Sequence, residues 1–243
     1  LVLDAISEPA VLRERFGGSV AGAAGRVVAG RVGVDRAQWE RWGVTAAVRA
    51  LVDEALAVLE HEGIEVVEVD ASDLDLALTA GLVVSLSEAA ALHRLRLRAA
   101  AGDYLPETRV MIASGALLRT DDVELALRLR PALRARIEKL LAARGLDALV
   151  GPTLPAGAPR LASMAAELTS ADDAEGLGSA LRMLCAANLT GLPGLSVACG
   201  EVEAGPVGMH LLGRAHGDAV ILALAERYEQ AAPWRARVPL DPR

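Results

Sequence analysis

The stretch that decides the fold is Asn188-Leu-Thr-Gly-Leu-Pro-Gly-Leu-Ser-Val-Ala-Cys-Gly200, followed closely by Gly205-Pro-Val-Gly-Met-His-Leu-Leu-Gly213. Glycine and proline interrupt regular structure and favour turns, so the first half of this stretch predicts a loop. Residues 195–199 and 207–212 are short apolar runs, which predict two buried strands. The pattern therefore indicates a loop that enters a strand, and a second strand that returns beside it as a hairpin.

The chain before this stretch alternates short apolar runs with helical patterns. Residues 31–34 and 64–69 predict strands, because both are short and rich in β-branched side chains. Between them, residues 44–62 carry apolar side chains at helical spacing, and Gly63 stands where a helix commonly ends. A strand, a helix and a strand in this order predict a right-handed unit with parallel strands.

The remaining segments extend the same α/β pattern. Leu125, Leu129 and Leu133 recur at four-residue steps after Thr120, and Pro131 is expected to kink or split that helix. The predicted fold class is α/β, with a mixed, largely parallel sheet flanked by helices in a single domain over residues 1–243. Residues 1–7 predict a helix end, and the glycines from Gly17 to Gly30 predict a flexible connection. Further helices are predicted at 74–101, 107–117, 173–187 and 217–231, a strand at 147–150, and a loop at 156–172.

Composition narrows the functions that the chain can have. A hydrophobic content of 53% suffices for a core. No apolar run approaches the roughly 20 residues that a membrane helix needs. The net charge of −7 argues against nucleic acid as a partner, since such proteins carry a basic surface. Cys185 and Cys199 do not form a disulfide framework, so we expect buried thiols and a cytoplasmic location, with no membrane partner.

Five segments, in order, resemble the amidase signature family. The two most specific are the Asn188–Gly200 and Gly205–Gly213 stretches, which are similar to the hallmark of the C-terminal half of that family. The family commonly has Pro where Ala198 stands and Gln where His210 stands. The resemblance implies the C-terminal portion of the amidase signature fold. With these two stretches counted as one segment, the other four are Leu1-Val-Leu-Asp-Ala-Ile6, Arg31-Val-Gly-Val34, Glu88-Ala-Ala-Ala-Leu-His-Arg94 and Asp147-Ala-Leu-Val-Gly-Pro-Thr-Leu-Pro155.

The resemblance implies amide hydrolysis by a Ser–Ser–Lys triad, with backbone amides that stabilise the oxyanion. None of the motifs that carry this triad can be placed on the chain. All but one of the 25 basic residues are arginine, and the exception, Lys139, is expected on a charged helix face. The resemblance therefore implies that the catalytic N-terminal half is missing, that the substrate is a small-molecule amide of the full-length enzyme, and that no cofactor is needed. A homodimer stays open.

No residue of the chain is predicted to be catalytic, and no metal site is predicted. Arg109 aligns with a position that helps to bind substrate in the glutamine-using tRNA amidotransferase branch, although a solvated helix arginine is the simpler interpretation. Leu181 stands where that branch carries an aspartate, which argues against glutamine as substrate. The remaining substrate-binding candidates are His93, Asn188 and Thr190, for which packing or backbone hydrogen bonds are the alternative roles.

Ser196 falls inside a predicted buried strand, so we do not expect it to act as a nucleophile. Two functions follow from the sequence. The first is the C-terminal portion of an amidase-family hydrolase that cleaves a linear amide C–N bond and is inactive as this chain alone. The second is a non-catalytic α/β binding or interaction module, a degenerate relative of amidases.

Overall fold

The structure is a computed structural model that describes residues 2–158 and 174–232. A loop is predicted over residues 156–172. Of these, residues 159–172 lie outside the described part of the chain. The helices are α1 (Val2–Ile6), α2 (Pro9–Phe16), α3 (Val20–Ala24), α4 (Arg36–Arg41), α5 (Ala46–His61), α6 (Ala77–Ala99), α7 (Pro106–Gly115), α8 (Thr120–Arg144), α9 (Ala174–Thr190) and α10 (Asp218–Ala231), with short 3-10 helices at Ser72–Leu76 and Ala101–Asp103. The strands are β1 (Arg31–Val34), β2 (Glu65–Glu68), β3 (Ala148–Pro152), β4 (Gly194–Val202) and β5 (Gly205–Gly213).

The five strands form one sheet in the order β2-β1-β3-β5-β4. Strand β1 pairs in parallel with both β2 and β3. Strand β5 is antiparallel to β3 on one side and to β4 on the other. The predicted fold class, an α/β fold with a mixed sheet and flanking helices, is confirmed, and so is the hairpin formed by the last two strands.

The unit β1–α5–β2 follows the sequence pattern closely. Its strands are parallel neighbours. Gly63 adopts a φ of 83°, a left-handed conformation that ends α5 at the predicted place. The apolar stripe of α5 is buried, because it packs against the strands β3, β4 and β5. The buried residues of this stripe are Val48, Val52, Ala55, Leu56 and Leu59.

The glycine-rich segment Gly17–Gly30 is not the unpacked connection that its composition predicts. It contains helix α3, whose first turn is capped by Ser19, where Oγ accepts the N–H of Gly22 over 3.0 Å. Val20 and Ala24 are buried in a small apolar cluster with Leu12 of α2 and Ala219 of α10. Small residues allow these helices to approach closely, so glycine and alanine serve packing here as well as flexibility.

Contacts divide the described chain into two compact units. The sheet unit contains residues 2–71, 138–158 and 192–232, and with them all five strands. The helical unit contains residues 72–137 and 174–191, with α6, α7, α9 and most of α8. The prediction of one single domain over residues 1–243 stays a prediction.

Within the helical unit, α6 and α7 pack against each other at a glycine. A Cβ placed on Gly115 of α7 would lie 2.0 Å from the carbonyl oxygen of Leu86 on α6. The approach of the two backbones therefore requires glycine at position 115. Helix α9 also packs on α6, where Gly81 faces Cys185.

Helix α8 is continuous through Pro131, so the expected split does not occur. Proline removes one backbone hydrogen bond at this position. Buried apolar side chains on both sides of it, among them Ala126, Leu133 and Ile137, hold the two halves in one helix.

One helical stretch, Ser72–Ala99, is long enough and apolar enough to cross a membrane by length and composition alone, with a mean hydropathy of 1.5 in its most apolar window. The longest run without a charged residue in this stretch, residues 76–87, is shorter than the roughly 20 residues considered above, but its few charged residues leave the stretch apolar on average. A single helix of this kind is weak support for insertion, since core helices of soluble proteins have the same composition.

Candidate functional site

Residue His93 is held in place by an aromatic neighbour in the helical unit. Its Nδ1 lies 2.9 Å from the hydroxyl of Tyr104. The two rings meet edge to face at 86°, with centroids 5.7 Å apart, a favourable geometry for aromatic pairs. The guanidinium of Arg96 lies over the same tyrosine ring, 5.9 Å from the centroid, within the range of a cation–π contact. This arrangement fixes the imidazole ring and leaves its Nε2 as the nitrogen that can meet a ligand.

Arg109 lies on the exposed side of α7, and its backbone N–H bonds to the carbonyl of Leu105 in the first turn. Among the residues that the structure describes, the guanidinium of Arg109 makes no ion pair and no hydrogen bond. Neighbouring arginines of the helical unit differ in this respect, because Arg96 approaches Asp103 at 3.8 Å and Arg119 bonds to Asp121 at 3.0 Å. Arg109 therefore keeps its donors available for an anionic group.

Asn188 and Thr190 lie in the last turn of α9 rather than in a loop. The predicted helix extends three residues beyond 187, and Gly191, with a φ of 68°, ends it. Asn188 Nδ2 donates to the carbonyl of Leu184 over 3.2 Å, and Thr190 Oγ1 donates to the carbonyl of Ala186 over 2.6 Å. Both side chains thus bond to carbonyls of their own helix, a common role of these residue types. Contact with a substrate stays a prediction for both.

The four candidate residues all lie in the helical unit, on three different helices. His93 and Arg109 lie on the packed pair α6 and α7, while Asn188 and Thr190 lie on α9, which packs on α6. Across the described part of the chain, His93, Arg109 and Asn188 are not hydrogen-bonded to one another. Ligand binding by Arg109 and His93 stays a prediction, as it does for Asn188 and Thr190.

A pair of hydroxyl groups in the sheet unit escaped the sequence prediction. Ser196 Oγ and Thr153 Oγ1 lie 2.5 Å apart, and a Cβ on Gly208 would approach each of them to 2.6 Å. Ser196 is exposed, so the prediction of a buried position was wrong. Strand β4 buries Val197 on one face only, and the alternation of small and large side chains along residues 194–199 was the signal for this.

His210 lies directly opposite Ser196 in the β4–β5 ladder and opposite Gly151 in the β3–β5 ladder. Its side chain is buried, and this burial lowers the pKa of the imidazole to about 4. The ring is therefore neutral at physiological pH. Burial also raises the pKa of the Cys199 thiol to about 12, which makes this cysteine unreactive.

A recess of about 340 Å³ lies between α4 and α5 in the sheet unit. Its two arginines already have acidic partners, since Arg36 bonds to Asp53 at 2.8 Å and Arg49 bonds to Glu40 at 2.6 Å. Because the charges of the recess are matched in pairs, it offers little attraction for a charged ligand.

Comparison with known proteins identifies the family. The family model described as Amidase matches residues 15–222, which is most of the chain. This chain belongs to the amidase family. The segments that resemble the amidase signature family lie within the matched residues, except for Leu1–Ile6.

Individual proteins that are similar to this amidase-family chain support the same family. An amidase from Pseudomonas putida is 30% identical over 199 residues, which cover 81% of this chain and 41% of the relative. A glutamyl-tRNA(Gln) amidotransferase subunit from Halorhodospira halophila is 30% identical over 231 residues, which cover 86% of this chain and 46% of that protein. An amidase crystal structure superposes with a TM-score of 0.73 and 25% identity over 85% of this chain and 46% of that one.

The amidase-family chain thus spans less than half the length of the relatives that it matches. Its one lysine, Lys139, is exposed on α8. Most serine hydroxyls with well-defined partners bond to backbone carbonyls or to a carboxylate, as Ser87 does with the Val84 carbonyl and Ser19 with Asp4. These contacts fit structural roles, since Ser19 caps α3 and Ser87 bonds to a carbonyl of its own helix.

Proposed function

We propose that this chain is the supporting portion of an amidase that hydrolyses a linear amide C–N bond by a Ser-Ser-Lys mechanism, with the catalytic residues outside the chain. The observation that carries the proposal is that the family match fills most of this chain but less than half of each relative. The family match occupies residues 15–222 of this chain, whereas the matched relatives are more than twice as long as the part that aligns.

The chemistry of the described residues agrees with this supporting role. A serine becomes a nucleophile when a base lies within hydrogen-bond reach to take its proton. The hydrogen-bond partner of the exposed Ser196 is the hydroxyl of Thr153, which is not a base at neutral pH. His210, which shares the ladder with Ser196, is buried and has a pKa of about 4, so it is a weak base.

The helical unit is the part of the chain that we assign to substrate binding. Arg109 presents an exposed guanidinium that has no ion-pair or hydrogen-bond partner among the described residues, and a guanidinium can form strong bidentate hydrogen bonds with a carboxylate. His93, oriented by Tyr104, adds a directed nitrogen on the neighbouring helix. A linear amide that also carries a carboxylate is the substrate class that these two groups fit best.

A reducing, cytoplasmic location is part of the proposal. Both cysteines are free, and burial raises the pKa of each thiol, so neither is prepared to form a disulfide. The other partners that we propose are the remainder of the amidase and a small-molecule amide.

The test is an amidase assay of two proteins, this chain of 243 residues and the product of the longer reading frame that contains it. We expect turnover of a linear amide by the longer protein and none by the chain alone. Lys139→Ala in the longer protein is the matched control, and its kcat/KM should be unchanged because the proposed base is another lysine. Turnover by the isolated chain, or loss of activity in the control, would overturn the proposal. An inactive longer protein without a serine-rich loop would favour the non-catalytic interaction module.

A further inference from the structure

The connection between α6 and α7 is short and has a defined backbone. It contains one turn of 3-10 helix, in which the N–H of Tyr104 donates to the carbonyl of Ala101 over 3.3 Å. Pro106 then begins α7 and restricts the residue before it to an extended backbone, which Leu105 adopts with a ψ of 143°. The local backbone therefore determines where the side chain of Tyr104 lies.

Two side chains of α6 lie against the ring of Tyr104. His93 and Arg96 are three residues apart, so they project from the same side of the helix. His93 meets the ring edge to face, and the guanidinium of Arg96 lies 5.9 Å from its centroid. Asp103, the residue before the tyrosine, approaches Arg96 at 3.8 Å. These contacts restrict the position of the tyrosine ring, while His93 stays partly exposed and open to a ligand.

The hydroxyl of Tyr104 lies 2.9 Å from Nδ1 of His93. A neutral imidazole carries one N–H, and the partner of one nitrogen decides which of the two holds the proton. The oxygens of an amide or a carboxylate only accept hydrogen bonds, so a neutral His93 that binds either of them must present a proton at Nε2. Nδ1 is then an acceptor, and a tyrosine hydroxyl is a donor that matches it.

We propose that Tyr104 is a positioning residue for substrate binding: its hydroxyl donates to Nδ1 of His93 and makes the N–H of Nε2 available to an amide or carboxylate oxygen of the substrate. This role rests on the proposed function, in which His93 binds substrate, and it adds a residue from the α6–α7 connection to that site. The last torsion of a histidine side chain is broad and roughly two-fold. The hydroxyl therefore selects one ring orientation as well as one tautomer.

The first measurement needs no catalytic activity. NMR of the imidazole nitrogens at mildly alkaline pH distinguishes the two tautomers, and the chain has four histidines, so the signals of His93 are those lost in His93→Ala. We expect the parent chain to carry the proton on Nε2 and to show a hydrogen-bonded Nδ1. In Tyr104→Phe, which keeps the ring and loses only the hydroxyl, the Nδ1 signal should move to that of an unbonded acceptor nitrogen.

The second tyrosine of the chain, Tyr228, offers a matched control, because it lies on α10 in the sheet unit. Tyr228→Phe also removes one hydroxyl and should leave the nitrogen signals of His93 unchanged. A proton on Nδ1 in the parent overturns the proposal. So does an Nδ1 signal that is the same in the parent and in Tyr104→Phe.

The second measurement is a double-mutant cycle in the longer protein of the proposed amidase. Tyr104→Phe should raise KM for the amide substrate about 5- to 10-fold and leave kcat nearly unchanged, since one neutral hydrogen bond that orients a binding group is lost. In the His93→Ala background, the same substitution should have no further effect, because the tyrosine acts through the histidine. A purely structural role of Tyr104 would give the same loss in both backgrounds.

The outcomes separate this role from the proposed function. Additive losses in the cycle, or an unchanged KM in Tyr104→Phe, overturn the role of Tyr104 in a longer protein that is an active amidase. A longer protein without amidase activity overturns the proposed function instead, and with it the contact between His93 and a substrate. The NMR measurement decides in that case whether Tyr104 positions the imidazole.

Discussion

Ala71 donates its backbone N–H to Oδ2 of Asp35 over 2.8 Å, in a part of the sheet unit where the aspartate is almost fully buried. The other carboxylate oxygen of Asp35 accepts the N–H of Gln38 over 2.7 Å and so caps α4. The amide of Gln38 completes the link by donating to the Ala71 carbonyl over 2.8 Å. One carboxylate thus joins the chain after β1 to the chain after β2.

Removal of this carboxylate should destabilise the protein strongly. Asp35→Ala removes a helix cap and leaves the buried N–H of Ala71 without its acceptor, so we expect a loss of about 2–4 kcal/mol in the free energy of unfolding. Urea denaturation measures this loss. Asp35→Asn is the control, because its side-chain oxygen can replace one of the two acceptors, and it should lose less than the alanine variant. Equal losses in both variants would contradict the shared role of the two oxygens.

This buried network also shows where the sequence pattern was insufficient. The strands β1 and β2 and helix α5 could be predicted because apolar side chains recur with clear periods. Helix α4 could not, because its six residues are mostly polar and its buried Gln38 has its partner, Ala71, far away in the sequence. Tertiary hydrogen bonds of this kind leave no local signal.

A substitution at the contact of α6 and α7 tests the packing of the helical unit. The Cβ of Gly115→Ala would collide with a backbone carbonyl of α6, which cannot move away as a side chain can. We expect a loss of about 2–4 kcal/mol in the free energy of unfolding, measured by urea denaturation. Gly102→Ala is the matched control, because its added Cβ meets no atom within 4 Å. This control should change stability by less than about 0.5 kcal/mol.

The sequence indicates which residues could bind a ligand, but the structure is needed to show their partners and their exposure. Arg109 could be singled out from the resemblance, but only the structure shows that its guanidinium forms no ion pair among the described residues. Asn188 was placed in a loop because glycine and proline follow it, whereas the helix continues until Gly191 reverses the backbone. The apolar run at 195–199 predicts a buried Ser196, but small and large side chains alternate along this strand, and Ser196 lies on its exposed face.

The guanidinium of Arg109, which has no partner among the residues described, leads to a prediction for the proposed full-length enzyme. Arg109→Ala should raise KM for an amide substrate that carries a carboxylate about 10- to 100-fold and leave kcat nearly unchanged, because a binding interaction is lost in ground state and transition state alike. A neutral amide of similar size serves as the control substrate and should show little change. Steady-state kinetics with both substrates measure the effect. A KM increase of the same size for both substrates would show that Arg109 has a structural role.

The buried imidazole of His210 makes stability depend on pH in a direction that can be worked out. Burial lowers the pKa from 6.5 to about 4 in the folded protein, whereas the unfolded chain keeps the ordinary value. Between these two values, the unfolded state binds more protons than the folded state. His210 therefore contributes nothing to the pH dependence well above its ordinary pKa and destabilises the protein as the pH falls from 6.5 toward 4.

The variant His210→Gln should remove this contribution. Between pH 7.5 and pH 5, the free energy of unfolding of the parent should fall by about 2 kcal/mol more than that of the variant. Urea denaturation of both proteins at the two pH values measures the difference, and the titration of the carboxylates cancels because both proteins share them. Glutamine keeps hydrogen-bonding groups at this position but does not take up a proton in this range. Parallel pH profiles for the two proteins would show that the imidazole is accessible to protons in the folded state.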